Sequence, residues 1–146
     1  MEIQCKRLMN IGVDVDTAVR RLGGNELLYL SICSKFLNDI NFQLIQEALS
    51  VQNYETSILY THTLKGVAAN LGYVQLENNC KALLQALKDN EIKNISMNQT
   101  NLTMEYHRII SVLNDFTLIN KIEYKSQLDN PFNLLLFIKN LMHKTT

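Results

Sequence analysis

Two segments with apolar residues at helical spacing meet at Gly72, and the link between them is too short to do anything but turn the chain back on itself. Upstream, from about Tyr54 to Asn70, the positions Tyr60, Leu64, Val67, Ala68 and Leu71 fall broadly on one side of a helix that turns roughly 100° per residue. Downstream, from about Val74 to Lys88, Leu76, Cys80, Leu83 and Leu87 recur at spacings of four, three and four, with Leu84 beside them. A glycine just past the last helical turn supplies the left-handed conformation that closes a helix. The second helix must therefore run antiparallel to the first and share a buried face with it.

The rest of the chain extends this pair. Asp14 is a good N-cap for a short helix to about Leu22, with Asp16 in its first turn, and Gly23-Gly24 stops it. Asn25 can cap the next segment, from about Glu26 to Leu49, whose stripe runs through Leu27, Leu30, Cys33, Leu37, Ile40, Leu44 and Ala48. Phe36, Ile45 and Leu49 widen that stripe, so the segment is one long helix or two nearly collinear ones bent near Asn38-Asp39. After the polar stretch Asp89-Asn90-Glu91, a further helix from about Asn98 to Leu118 uses Leu102, Tyr106, Ile109, Leu113 and Phe116. The expected fold is all-α, an antiparallel up-down-up-down four-helix bundle with a short N-terminal helix. Asn130-Pro131 reads as an N-cap and a first-turn proline, so Leu134 to Ile138 with Leu141 and Met142 predict an extra C-terminal helix. It is too short to span a bilayer. It is expected to pack on the bundle of a monomer, with a dimer contact as the alternative.

Composition narrows the function. At 146 residues, 47% hydrophobic, with five glycines and one proline, the chain fits one helical domain spanning 1–146. Fourteen basic and fourteen acidic residues cancel, so no overall charge draws it to nucleic acid or to an anionic membrane. Cys5, Cys33 and Cys80 are odd in number and lack metal-ligand spacing, which points to a reducing, cytoplasmic compartment. The amino terminus lacks the apolar run of a signal peptide. There is no phosphate-binding glycine loop, no nucleophile elbow and no histidine pair at i and i+4, so neither a self-sufficient enzyme nor a bound metal is expected.

One histidine stands apart. His62, Lys65, Gly66 and Ala69 form a stripe on the side of the Tyr54–Asn70 helix turned away from its apolar face. Glycine in mid-helix costs about 1 kcal/mol relative to alanine, and clearance for another body beside the imidazole accounts for it. Ile58 and Leu59, on the preceding turn, offer apolar surface for docking. His107 and His143 have no comparable setting.

The run His62-Thr63-Leu64-Lys65-Gly66-Val67-Ala68-Ala69-Asn70-Leu71-Gly72 resembles the signature of histidine-containing phosphotransfer domains, the intermediates of multistep two-component relays. Upstream, Gly12-Val13-Asp14-Val15-Asp16, Ala18, Arg21-Leu22-Gly23-Gly24-Asn25 and Leu28-Tyr29 resemble the family's opening, and Phe36-Leu37 followed by Asp39 its next landmark. The resemblance covers about Ile11 to Leu118 and leaves 121–146 as an extension. It implies a bundle that takes a phosphoryl group from the aspartate of one receiver domain onto His62 and passes it to another. The implied partners are response-regulator receiver domains and a hybrid sensor histidine kinase, of which this chain could be the cytoplasmic end. Magnesium is expected on the receiver, and no cofactor on this chain. Lys65, one turn from His62, is placed to offset phosphoryl charge.

Two positions depart from the family's pattern. Where many relatives carry a glutamate or glutamine that orients the histidine ring, this sequence has Leu84, with Gln85 a weak substitute turned by roughly 100°. Thr61 stands where a small apolar residue is common, and can return its hydroxyl to the preceding turn. A helical adaptor that docks receivers without phosphorylation is the alternative reading. A sensor-kinase dimerisation domain is disfavoured, since no acidic residue follows His62.

Overall fold

A computed structural model describes the backbone of residues 2–128 and the side chains of residues 3–116. Seven helices follow one another among the described residues: α1 (Glu2–Asn10), α2 (Val15–Arg21), α3 (Glu26–Phe36), α4 (Asn41–Ser50), α5 (Tyr54–Leu71), α6 (Val74–Asp89) and α7 (Ile92–Leu128). No strand interrupts them within that range. The chain divides into two units, Met1–Leu113 and Asn114–Thr146. The first holds everything discussed below; of the second, the described part is helical backbone as far as Leu128. The helix expected after Asn130-Pro131 lies outside the described residues.

Helix α5 packs most extensively against α4 and α6. Its buried residues, Ser57, Thr61, Leu64, Ala68 and Leu71, face Leu76, Cys80, Leu83, Leu84 and Leu87 of α6 across the antiparallel pair expected from the sequence. Asn53 caps α5, its Oδ1 accepting the Thr56 N–H at 3.1 Å. Gly72 closes it at φ +77°, in the left-handed region, and Tyr73 follows directly. On the other side, α7 joins α4 through Gln46, whose amide donates to Thr103 Oγ1 at 3.0 Å and accepts from Gln99. Phe42 stacks on Tyr106 with ring centroids 3.9 Å apart. Asn79 of α6 reaches the Asn101 carbonyl of α7 at 3.3 Å. The result, within the first unit, is an up-down-up-down four-helix bundle of α4, α5, α6 and α7 as far as Leu113, with α1 to α3 covering one end.

Two elements differ from the sequence reading, and a third falls on one of its two alternatives. The segment from Glu26 to Leu49 is two helices, and the break falls at the expected bend. Asp39 Oδ1 accepts the Asn41 N–H at 2.8 Å and so starts α4 afresh. α7 begins at Ile92 rather than near Asn98, because Ile95 is buried ahead of the periodic stripe. α1 was not signalled at all, since among its described side chains only Cys5 and Leu8 are buried. Arg108 fixes the turn after α1, donating to the Ile11 carbonyl at 2.9 Å while its guanidinium pairs with Glu105 at 3.0 Å.

Candidate functional site

The stripe expected on α5 is present. His62 and Gly66 are exposed, and Lys65 and Ala69 are half-buried. Leu59 is 61% exposed and Ile58 half-buried, so both reach the surface near the histidine. Tyr60 and Val67, read from the sequence as opposite the stripe, sit half-buried on the flanks of the core face.

Among the described residues, nothing explains the absence of a side chain at residue 66. A Cβ built at Gly66 would meet nothing within 4 Å, and its φ is that of an ordinary helix. Neither internal packing nor backbone strain requires glycine there. Gly72 is the opposite case. A Cβ there would overlap the Asp14 carbonyl oxygen and lie 2.9 Å from its carbon, on backbone that cannot swing aside.

The imidazole of His62 makes no hydrogen bond among the described residues, and Lys65 makes neither a hydrogen bond nor an ion pair there. The lysine lies close enough to Cys80 for its charge to oppose the burial that pushes that thiol up to about 12. Leu84, one turn further along α6 from Cys80, is buried. Gln85 makes no hydrogen bond to His62 among the described residues. It is exposed and donates to Asp89 Oδ1 at 2.9 Å, one turn along its own helix, which is the nearer partner for an i, i+4 amide. Thr61 behaves as expected, donating its hydroxyl to the Ser57 carbonyl at 2.6 Å, so a buried polar group is satisfied without disturbing the core.

No local pattern signals the way the far end of α5 is held. Helix ends leave carbonyls without intrahelical partners. Here Arg21 Nη1 donates to the Ala69 carbonyl at 2.9 Å, the Tyr29 hydroxyl to Leu71 at 2.8 Å, and the Asp14 N–H to Gly72 at 2.8 Å. Burial raises the Tyr29 phenol far above its ordinary value, so it stays protonated and keeps donating. The Thr17 hydrogen bond holds the Asp14 carboxyl below its usual range. Partners 42 and 48 residues away along the chain are not visible to a local pattern.

Among the described residues, no group of three or more His, Cys, Asp and Glu side chains is arranged to hold a metal, and no helix is long and apolar enough to cross a membrane. His107, the other histidine with a described side chain, lies edge-on to Phe42 and Tyr106. Compared with known families, residues 37–115 match the model of the Hpt domain, just over half of the chain. The matched span contains α4, α5, α6 and His62, and begins after the Gly12–Tyr29 landmarks. No curated protein and no solved structure matches the chain.

Proposed function

The chain belongs to the Hpt domain family, whose part in two-component signalling is phosphotransfer, and from that premise we propose that His62 is the phosphoryl carrier between two receiver domains. The observation that carries the reading is Gly66. A mid-helix glycine that the described residues do not require stands one turn from an exposed histidine that makes no hydrogen bond among them.

In this reading the lone pair of one ring nitrogen forms the N–P bond. The P–O bond to the receiver's aspartate breaks, and the carboxylate leaves as an anion. The other ring nitrogen keeps its proton, so the phosphorylated ring is briefly cationic. The reverse sequence delivers the group to the next aspartate. Most of the catalysis in phosphoryl transfer is positioning and neutralisation of charge. Lys65, on the same face and uncommitted, is suited to the second task. Gly66 and Ala69 leave the approach open, and Ile58 and Leu59 add apolar contact. Magnesium and the acidic residues that would bind it belong to the receiver. With the apolar Leu84 where a polar ring partner was expected, the orientation of the ring is left to the partner.

Incubation with receivers charged by acetyl phosphate tests this. The wild-type chain acquires acid-labile, base-stable phosphate, and His62→Gln removes the label while leaving the circular dichroism unchanged. Labelling that survives the substitution refutes the assignment. A wild-type chain that binds a receiver but is never labelled favours the adaptor instead.

A further inference from the structure

A receiver resting on His62 alone would find little to hold. Lys65, Gly66 and Ala69 beside the imidazole, with Ile58 and Leu59 on the preceding turn, are few residues against the about 800 Å² that specific protein pairs bury on each partner. The missing area has a place on the same helix. Beyond the stripe, toward the C-terminal end of α5, lies a groove of about 420 Å³ between α2, α3 and α5. Leu22, Ile32, Phe36 and Val67 are among its apolar lining, and Arg21, Lys35 and Asp39 are its charged residues.

Those three charges are not equivalent. Asp39 is consumed internally, its two oxygens accepting the side-chain amide of Asn41 at 3.0 and 3.2 Å and Oδ1 also the Asn41 N–H. Arg21 spends Nη1 on the Ala69 carbonyl, which leaves the rest of its guanidinium for other acceptors. Lys35 is exposed and makes no hydrogen bond or ion pair among the described residues. An apolar floor therefore carries a rim with unspent positive charge. The groove lies along the same helix as the histidine, turned from it by roughly 80° at Asn70. Asn70, in its lining, lies two turns past His62, about 12 Å along the axis. One domain about 30 Å across, seated on the histidine, covers both.

We propose that this groove is the selective part of the docking surface, and that its occupant is an apolar ridge of the receiver domain flanked by carboxylates which Lys35 and Arg21 read. This rests on the phosphotransfer reading and adds to it a choice among receivers. Rim charges govern encounter rate and salt dependence more than the chemistry of a bound complex. The selection is accordingly felt in KM.

The experiment ranks a panel of receiver domains from the same genome, each charged with acetyl phosphate, by kcat/KM for labelling of the full chain. Lys35→Glu is expected to lower kcat/KM about tenfold for the best receiver through KM, the difference shrinking as salt rises. Ile32→Asp, checked by circular dichroism, is expected to weaken the same receiver further by placing charge on the groove floor. Receivers lacking carboxylates beside their apolar ridge are expected to rank low with the wild type and to gain on Lys35→Glu. Labelling that both variants leave at the wild-type KM, with His62→Gln still abolishing it, overturns the groove and spares the phosphotransfer reading. No labelling of the wild type by any receiver overturns both.

Discussion

Replacing Gly66 by alanine separates the fold from the function in a single methyl group. Alanine is favoured over glycine in a helix interior by about 1 kcal/mol. The added Cβ meets nothing within 4 Å, so no clash offsets that gain. The variant is expected to be more stable by about 1 kcal/mol, read as a higher urea midpoint at unchanged m and a melting temperature raised by roughly 3 °C. The same methyl projects from the exposed stripe one turn past His62, where the partner must approach. Displacing the reacting atoms by about 1 Å can cost 100-fold in rate, so transfer from a phosphorylated receiver is expected to fall by about two orders of magnitude. Stopped transfer reactions with radiolabelled receiver, run beside urea titrations of the same preparation, measure both. A variant that is stabilised and transfers at the wild-type rate refutes the idea that residue 66 is kept bare for a partner. A destabilised variant refutes the view that its surroundings are open.

Two further substitutions probe the scaffold. Gly72→Ala is expected to lose about 3 kcal/mol in urea titrations, combining left-handed strain of about 1–2 kcal/mol with the loss of the Asp14 hydrogen bond at about 1 kcal/mol. Gly24→Ala, at φ +82° but in open space, should lose the strain alone, and equal losses at the two sites would show that the contact with Asp14 is unimportant. Alkaline pH addresses Cys80, whose thiol burial pushes from an ordinary 9.0 up to about 12. Because the folded value is the higher one, its contribution is fully present below about 9 and is lost as pH rises toward 12. The urea midpoint of the wild type should therefore fall more steeply over that window than that of Cys80→Ala, and parallel slopes would contradict the assignment.

Much of the site was legible because its signals are local. The spacing of Leu64, Ala68 and Leu71 fixed which side of α5 faces inward, and that placed His62, Gly66 and Lys65 on the surface. Gly72 announced its own left-handed φ. What escaped is decided by competition or by distance. Whether the bend expected near Asn38-Asp39 becomes a full break between α3 and α4 depends on Asp39 serving the Asn41 amide, since apolar spacing continues through it. Gln85 had a nearer claimant in Asp89. Arg21 and Tyr29 act on carbonyls brought to them only by the finished fold.

The clamp on the end of α5 also bears on how transfer is timed. With Ala69, Leu71 and Gly72 tied to three separate points of the N-terminal segment, the backbone under His62 has little freedom to fray or swing. The search for the reactive arrangement then falls to the two torsions of one side chain, which rotate on the picosecond to nanosecond scale at a surface. An acceptor of this kind is ready before its donor arrives. Under the proposed function, the pace of transfer would then be governed by the partner's residence time more than by motion of the α5 backbone.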